Sequence, residues 1–383
     1  MKIAIYETVH IECAIPLAML LKGSGYSISF YVHENMKTDI QNALTDHDYA
    51  GFEWFYLADQ PFLALYRLLN RQINIHRYDL FWLNTNDSKH LAFAALKFRY
   101  PNMNMAVNVH EINNFFRPRF TFHPKQVLRL ISKKLLSKMA DVFIVNTGKM
   151  KENIVHRSLT RKPCYVMTPV FYMPFTIDMP VSNLNRFCVV IPGSIDNRRK
   201  DYMIALHAWE KFIETKDQQI NAELVLAGNY IPHGAAIAAA CQNNQVLKKT
   251  VRLFEKEIPE QDFQQILSAA TILLSPQHQI TSMSDNTIEE YGVTKTSGNM
   301  QDAIRYAKPI IVPAFLQIPE EVSSGVIRYT NEAALTAIFQ DVCGNKTAFT
   351  TMYQTAKTNS EKFSYHIMRE KLLTIITAIS KPQ

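Results

Sequence analysis

Residues 189–202 read V-V-I-P-G-S-I-D-N-R-R-K-D-Y and contain the pattern that indicates the fold class most clearly. An apolar strand leads into Gly193, a polar turn carries Arg198, Arg199 and Lys200, and a helical pattern follows. A strand that turns through glycine into a helix is the repeating unit of a parallel α/β sheet. Basic groups at the mouth of such a turn suit a diphosphate, although a solvated turn with no ligand has the same composition.

The same alternation of strand and helix extends along the chain on both sides of this unit. The apolar runs that predict strands lie at 2–6, 26–32, 80–83, 103–109, 142–145, 165–167, 187–191, 223–226, 251–254, 272–274 and 309–312. Helical patterns separate most of them, and a last amphipathic helix is predicted over about 360–379. The pattern predicts an α/β fold with two Rossmann-like, doubly wound parallel-sheet domains that face a cleft.

The length of 383 residues favours two domains. Residues 1–170 form the first predicted domain and residues 187–358 the second. Between them, 171–186 has prolines and no clear period, so it is predicted to be a linker. Residues 359–383 are predicted to form a C-terminal helical segment.

Composition excludes several classes of protein. Apolar residues make up 47% and charged residues 20%, which is typical of a globular chain and not of a disordered one. The five cysteines are scattered without a C-x-x-C pair, which argues against a disulfide framework or a zinc cluster and suits a reducing compartment. No apolar run approaches ~20 residues, so we expect no membrane span, and the first residues are predicted to be a strand and not a signal peptide.

Familiar catalytic motifs are absent, and a second stretch takes their place. Neither G-x-G-x-x-G nor a P-loop occurs, and neither do H-E-x-x-H or G-x-S-x-G. Residues 291–313 read Y-G-V-T-K-T-S-G-N-M-Q-D-A-I-R-Y-A-K-P-I-I-V-P, a polar loop that enters a helix. The N–H groups of Gly298, Asn299 and Met300 would be free to hold phosphate oxygens, and Asp302 could accept from sugar hydroxyls.

These residues resemble the C-terminal half of GT-B glycosyltransferases, especially the retaining, family-four-like group. The resemblance covers about 187–313 and rests on four segments in the same order as in that family. They are G-S-I-D-N-R-R-K-D-Y, L-V-L-A-G-N, the helix-strand-proline segment 257–276 and D-A-I-R-Y-A-K-P-I-I. The resemblance implies that the turn at Gly193, with Arg199 and Lys200, binds the donor diphosphate, and that Arg198 is a weaker candidate.

Further donor contacts follow from the same resemblance. The family's ribose-binding carboxylate corresponds to Asp302, and the loop before it supplies Ser297, Gly298 and Asn299. The family has a second carboxylate eight positions earlier, beside the transferred sugar, and Thr294 stands there in this chain. Either a longer loop brings Glu289 or Glu290 to that place, or the carboxylate function is lost. The stereochemical outcome of transfer stays open.

In the N-terminal half, the segment M-A-V-N-V-H-E-I-N-N-F-F at 105–116 is similar to the family segment that faces the donor sugar. The resemblance implies a catalytic position for His110 and Glu111, while a hydrogen-bonded loop histidine is the structural alternative. Glu7 and His10 follow the first predicted strand, where they either contact the acceptor or cap the first helix.

Positive charge is concentrated in one window. Residues 97–162 contain 14 basic and 3 acidic residues, whereas the whole chain carries a net charge of +7. Phe115 and Phe116 precede a predicted basic amphipathic helix that includes Lys133 and Lys134. This composition favours contact with an anionic membrane surface, and an ordinary surface helix is the alternative. No nucleic-acid-binding signature accompanies it, so no nucleic-acid partner is expected.

The sequence therefore predicts a glycosyltransferase that moves a sugar from a nucleotide diphosphate sugar to a hydroxyl of a lipid-linked or saccharide acceptor. We expect it in polysaccharide or glycolipid synthesis, peripheral on the cytoplasmic face of the inner membrane. No metal and no cofactor other than the donor are implied, because basic groups and helix N–H donors would neutralise the diphosphate. The alternatives are a nucleotide-sugar 2-epimerase of the same fold and a catalytically silent docking protein.

Overall fold

The fold was analysed in a computed structural model that describes residues 1–85, 88–120, 122–172, 186–283 and 286–380. Two parallel sheets, of seven and six strands, each carry helices on both faces. The predicted α/β class with two doubly wound domains is confirmed.

The N-terminal sheet is parallel throughout and has the order β3-β2-β1-β4-β5-β6-β7. Its strands are Lys2–Glu7 (β1), Ser27–His33 (β2), Glu53–Leu57 (β3), Leu80–Thr85 (β4), Asn104–Asn108 (β5), Val142–Val145 (β6) and Cys164–Val166 (β7). The central strands are buried because helices cover both faces, so they are apolar runs and not alternating ones. The strand order reverses between β1 and β4.

Eight helices accompany this sheet in the described part of the chain. They are Ile11–Leu21 (α1), Lys37–Ala43 (α2), Asp46–Ala50 (α3), Phe62–His76 (α4), His90–Arg99 (α5), Ile112–Phe116 (α6), Pro124–Met139 (α7) and Gly148–His156 (α8). Short loops join them to the strand ends, so polar residues that follow β1, β4, β5 and β6 collect at one edge of the sheet.

The C-terminal sheet has the order β10-β9-β8-β11-β14-β15, again all parallel. Its strands are Arg186–Pro192 (β8), Asn221–Asn229 (β9), Val251–Phe254 (β10), Ile272–Leu274 (β11), Ile310–Pro313 (β14) and Val326–Tyr329 (β15). A separate antiparallel hairpin is formed by Ile280–Ser282 (β12) and Ile288–Glu290 (β13). Here the strand order reverses between β8 and β11.

The second half of the chain contains eight helices in its described part, and all except the last pack around this sheet. They are Tyr202–Thr215 (α9), Ala235–Asn243 (α10), Gln245–Thr250 (α11), Glu260–Ala269 (α12), Gly298–Arg305 (α13), Glu332–Gly344 (α14), Lys346–Glu361 (α15) and Tyr365–Ser380 (α16). The indole of Trp209 on α9 stacks on Phe187 of β8, so this side of the helix packs on the sheet.

The last helix returns to the N-terminal half. Met368 and Leu372 of α16 are buried in the same core as Ile3 and Leu17, and the hydroxyl of Tyr365 donates to the carbonyl of Met19 at 3.1 Å. The two halves are therefore tied together by a helix at the far end of the chain. Most of the predicted linker, at 173–185, lies outside the described residues.

None of the helices in the described part of the chain is both long enough and apolar enough to cross a membrane.

Candidate functional site

A cleft of about 680 Å³ lies between the carboxyl edges of the two sheets. The points where the strand order reverses, after β1 and β4 in one sheet and after β8 and β11 in the other, face each other across it. In open α/β sheets, the carboxyl ends of strands at such a reversal are where ligands bind. His10 and Thr85 line the cleft from the N-terminal side, and Gly193 and Gln277 line it from the other.

The basic turn after β8 forms part of the C-terminal wall. Gly193 has φ +86°, a conformation that L side chains rarely adopt, so glycine is required there. Arg199 lines the cleft with its side chain half exposed, and Lys200 lines it with its Nζ donating to the carbonyl of Pro192. Burial lowers the pKa of Lys200 to about 8. Arg198 does not line the cleft, because its guanidinium pairs with Asp196 at 2.7 Å.

The start of α13 reaches the same wall. Ser297, Gly298 and Asn299 all line the cleft, and Asn299 is buried with no partner for its Nδ2 among the described residues. The N–H of Asn299 donates to Ser297 Oγ and that of Met300 donates to Ser297 O, both at 3.3 Å. The expectation of three free N–H donors is therefore wrong for two of them, because the helix cap uses them.

Two other predicted donor residues lie outside the cleft lining. Thr294 is buried, and its hydroxyl accepts from the N–H of Glu290 at 2.8 Å within a local turn. Asp302 is half-buried on α13, where burial raises its pKa to about 7 and the charges of Arg305 and Lys200 lower it. Thr294 stabilises a turn, and a direct ligand contact of Asp302 stays a prediction.

His110 lies on the opposite wall, directly after β5. Its Nε2 is 2.9 Å from the carbonyl of Asn84, which can only accept, so this nitrogen carries the proton. The other ring nitrogen is 3.4 Å from Asn146 Nδ2. The ring centroids of His110 and His10 are 5.9 Å apart. The structure thus holds the predicted histidine in one tautomer at the edge of the cleft.

Glu111 also lines the cleft but is engaged across the domain boundary. Its Oε1 contacts Nζ of Lys295, and its Oε2 accepts from Asn114 Nδ2 at 2.6 Å. Burial raises the pKa of Glu111, yet the Lys295 ammonium more than offsets this and holds it below its ordinary value. Glu111 is therefore an ionised partner in an interdomain ion pair.

Of the two residues predicted to contact the acceptor or cap α1, Glu7 is buried and His10 lines the cleft. Glu7 is fully buried: its Oε1 accepts from the N–H groups of Val9 and His10, both at 2.8 Å. Of the two roles predicted for Glu7, holding the start of α1 fits, and acceptor contact does not, because the side chain is enclosed. His10 lines the cleft and its Nδ1 is 2.8 Å from Glu12 Oε1.

The two domains meet directly beside the cleft. The carboxylate of Glu289, which is fully buried, accepts from the N–H of Asn114 at 2.6 Å. The carbonyl of Thr294 accepts from the N–H of Ile112 at 2.9 Å. Glu289, one of the two residues considered for the missing donor carboxylate, is thus used in the interface between α6 and the hairpin.

Two lining residues, Asn108 and Asn146, and Asn84 behind them were not predicted from the sequence. Asn84, Asn108 and Asn146 stand at or directly after the carboxyl ends of three neighbouring strands, and all three are buried. The signal available was an amide side chain at the end of each of three apolar runs. Because amides also stabilise ordinary loops, this pattern indicates a site only once the strand order is known.

In the positively charged segment 97–162, two residues predicted to face a membrane are buried. Lys133 is only 2% exposed and its Nζ donates to Asn114 O and Oδ1, at 2.8 and 2.6 Å. Phe115 is buried between α6 and the sheet. The expectation that these two face a membrane is wrong, because α7 uses this side to pack on the domain. Phe116 is partly buried against the same core, and Lys134 is exposed.

Within the described residues, no group of three or more His, Cys, Asp or Glu side chains is placed to hold a metal ion.

Comparison with known proteins supports the fold. No protein-family model matches this chain, and no curated protein matches its sequence. Among solved structures, the pneumococcal O-GlcNAc transferase GtfA, in complex with UDP and GlcNAc, is similar at TM-score 0.67 and 10% identity, over 100% of this chain and 99% of that one. The UDP-GlcNAc 2-epimerase of Neisseria meningitidis, bound to UDP-GlcNAc, is similar at TM-score 0.58 and 13% identity, over 98% and 100%.

A UDP-GlcNAc 2-epimerase from Methanocaldococcus jannaschii is similar at TM-score 0.57 and 13% identity, over 99% of this chain and 100% of that one. At these identities the likeness concerns the fold alone. The chain has the GT-B fold, in which two Rossmann-like domains face a cleft.

Proposed function

We propose that this protein transfers a sugar from a nucleotide diphosphate sugar to a hydroxyl group of an acceptor. The observation that carries the proposal is that Arg199, Lys200 and the start of α13 form one wall of a large interdomain cleft. Two basic side chains and the positive end of the α13 dipole converge there, and this combination stabilises a diphosphate, both bound and leaving.

The donor would lie along the C-terminal wall. The guanidinium of Arg199 is half exposed, and within the described residues its ion pair with Asp196 is long, with Nε 3.7 Å from the carboxylate. Lys200 is buried beside Gly193, and its Nζ lies 3.4 Å from where a Cβ of residue 193 would stand. A diphosphate there would favour the charged form of Lys200, against the desolvation that lowers its pKa.

The solved structures of the same fold support the class of donor. GtfA was crystallised with UDP and the Neisseria epimerase with UDP-GlcNAc. We therefore propose a nucleotide sugar as donor, with its base and sugar to be identified by experiment.

The carboxylates favour transfer over epimerisation. A 2-epimerase needs an acid and a base that exchange a proton at carbon. Among the described residues, the carboxylates that line the cleft are Glu12 and Glu111. Burial raises both pKa values, but His10 beside Glu12 and Lys295 beside Glu111 hold them below their ordinary values. Neither carboxylate is therefore suited to donate a proton at neutral pH, so an epimerase reaction would have to use the cleft histidines, such as His10 and His110, as acid and base. Transfer depends instead on positioning and on leaving-group stabilisation.

We also propose that transfer takes place at an anionic membrane surface, through what we call the α7 face. This face consists of large apolar side chains exposed beside basic ones. Its apolar members are Phe120, Phe122, Leu128, Ile131 and Leu135, and its basic members are Arg117, Arg119, Lys125, Lys134 and Lys138.

The exposure of these aromatic rings is unusual for a protein surface. Phe122 is 91% exposed and Phe120 is 57% exposed, and their ring centroids lie 5.2 Å apart. Phe98, 79% exposed, continues the apolar surface along a groove of about 440 Å³ that also contacts Leu135. Apolar rings among lysines and arginines complement a bilayer with anionic headgroups. This surface would bring a lipid-linked acceptor to the cleft.

The experiment that tests the function is a panel of UDP-, GDP-, ADP- and CMP-sugars. Thermal-shift binding identifies the donor, and NMR product analysis is then performed with and without an acceptor. We expect free nucleotide and a glycosylated acceptor only when an acceptor is present. An epimerised nucleotide sugar formed without any acceptor would establish the alternative reaction.

A further inference from the structure

The side chains of Glu7, Asn84 and Asn108 form a chain of hydrogen bonds that runs in one direction, at the carboxyl edge of the N-terminal sheet. The Nδ2 of Asn84 donates to Oε2 of Glu7 at 2.8 Å, and the Nδ2 of Asn108 donates to Oδ1 of Asn84 at 2.8 Å. Glu7 and Asn84 are at most 1% exposed, and Asn108 is 9% exposed. Asn108 lines the cleft, whereas Glu7 and Asn84 lie behind it.

The direction of this chain is set at Glu7. Its Oε1 accepts two backbone N–H groups, and an ionised carboxylate can only accept, so Oε2 must face a donor. Asn84 therefore presents its NH₂ to Glu7 and its Oδ1 to Asn108. Asn108 in turn commits its NH₂ to Asn84. Its Oδ1 is the atom left over, and it has no hydrogen-bond partner in the described structure.

Two further side-chain oxygens of the cleft, Asn146 Oδ1 and Thr85 Oγ1, also lack a hydrogen-bond partner within the described residues. Asn146 Nδ2 donates to Thr296 Oγ1 at 3.1 Å, which leaves its Oδ1 without a partner, and Thr85 Oγ1 also has none within the described residues. Both residues line the cleft and both are at most 3% exposed. A buried polar atom without a partner is costly, so it is satisfied when a ligand supplies the missing donor.

We propose that Asn108, Asn146 and Thr85 form a subsite for a hydroxylated ligand group, such as one face of a saccharide, and that Glu7 is the positioning residue that keeps Asn108 Oδ1 available to accept. The subsite requires a ligand that donates, which a sugar hydroxyl does and an ether or fluorine does not. Its assignment to a sugar rests on the proposed function, whereas the hydrogen-bond chain stands without it.

The substitution Glu7→Gln tests the direction of the chain. Because the oxygen of the introduced amide would still accept from Val9 and His10, its NH₂ would face Asn84. Asn84 and then Asn108 would have to turn over, which exchanges the acceptor at the cleft for a donor. The double substitution Glu7→Gln with Asn84→Asp moves the carboxylate one place along the chain and restores the original orientation of Asn108. Glu53→Gln, on strand β3 of the same sheet, is the matched control.

The first readout is hydrogen exchange of the Asn108 side-chain amide, followed by NMR with ¹⁵N-asparagine and assigned from the signal missing in Asn108→Ala. The measurement is made at about pH 8.5, above the pKa of Glu7, which burial raises to about 7. We expect slow exchange in the wild type, exchange about tenfold faster or more in Glu7→Gln, and slow exchange again in the double variant and in Glu53→Gln. If the Asn108 side-chain amide exchanges at the wild-type rate in a folded Glu7→Gln protein, the proposed direction of the hydrogen-bond chain is wrong. If that variant does not fold, fast exchange in the double variant overturns it.

The second readout is binding of methyl glycosides of glucose, galactose, mannose and N-acetylglucosamine with UDP present, by saturation-transfer NMR. We expect at least one glycoside to bind the wild type and to bind Asn108→Ala about fivefold more weakly. A deoxyfluoro analogue of the contacted hydroxyl should bind the wild type poorly and Glu7→Gln better. Failure of the whole panel with the wild type, or equal binding by Asn108→Ala, overturns the saccharide subsite. Because neither readout requires turnover, both are independent of whether transfer is detected.

Discussion

Gly228 packs directly against Gly193: a Cβ at position 228 would lie 2.3 Å from the Gly193 carbonyl oxygen and 2.5 Å from its carbonyl carbon. Gly228 is in β9 and Gly193 follows β8, so the end of one strand supports the turn that follows its neighbour. The position of the basic turn at the cleft therefore depends on a residue without a side chain.

The substitution Gly228→Ala should displace this turn. Backbone atoms cannot yield cheaply, so we expect a loss of stability of about 1–3 kcal/mol and weaker binding of nucleotide sugars. Urea unfolding and calorimetric titration measure the two effects. Gly148→Ala is the control, because a Cβ there meets nothing within 4 Å. If Gly228→Ala matches this control in both assays, the support of the turn by Gly228 is refuted.

The buried carboxylate of Glu289 should make stability depend on pH. Burial raises its pKa to about 7, above the ordinary value of 4.5, so the folded state binds this proton more tightly than the unfolded state. Stability is then greatest below the ordinary pKa and falls as pH rises toward 7. Glu289→Gln keeps an oxygen for the N–H of Asn114 and removes the titration.

We expect Glu289→Gln to gain stability relative to the wild type as pH rises from about 5 to about 8, by up to ~3 kcal/mol. Chemical denaturation at several pH values measures this difference. A stability difference that stays constant with pH would show that Glu289 is not titrating between these values.

The ion pair between Glu111 and Lys295 should couple the domains. Both side chains are more than four-fifths buried, so Lys295→Met alone would strand a carboxylate. We expect Lys295→Met to cost about 2–4 kcal/mol and the double variant with Glu111→Gln to recover part of it. A double-mutant cycle on unfolding free energies measures the coupling. Strictly additive effects would mean that the two groups do not interact in solution.

The α7 face should bind anionic vesicles. We expect sedimentation with vesicles that contain anionic lipid, weakening as salt is added, because charge attraction is screened. Changing Lys125, Lys134 and Lys138 to Glu should abolish binding while donor binding persists. Changing Phe120 and Phe122 to Ser should weaken it even at low salt.

The matched control replaces three exposed lysines of the other domain, Lys248, Lys249 and Lys256, by Glu, which gives the same change in net charge. Vesicle binding that falls equally in this control would indicate general charge attraction and not a docking face. A wild-type protein that ignores anionic vesicles at low ionic strength would point to a soluble acceptor.

Strand and helix alternation was sufficient to predict the fold, because parallel sheets covered on both faces have long apolar strands. The segment from Glu53 to His76, which forms β3 and α4, was not predicted. The strand β3 lies at the sheet edge and is mostly half-buried, and its four-residue apolar run W-F-Y-L does not by itself distinguish a strand from a helix. Near the C-terminus, α15 was also missed, and the helix predicted to begin near residue 360 begins at Tyr365.

The candidate site was predicted in part. Arg199 and His110 were found because local motifs carry them, and both line the cleft. Lys295 and the Asn84–Asn108 pair were missed because their partners lie far away in sequence, and only the folded topology brings them together. The burial of Lys133 was missed for a similar reason: its partner Asn114 precedes the helix, and periodicity does not show which turn packs inward.

We propose above that the C-terminal wall of the cleft holds the diphosphate of a nucleotide sugar. Calorimetric titration of wild type, Arg199→Ala and Arg198→Ala with the donor from the screen, starting with UDP-GlcNAc, tests it most directly. Arg198 is the matched control, because it has the same charge one residue away, pairs with Asp196 and does not line the cleft. We predict that Arg199→Ala weakens binding about tenfold or more, the loss of one charge-assisted contact, while Arg198→Ala stays close to wild type. Equal affinities for all three folded proteins would show that Arg199 does not hold the diphosphate.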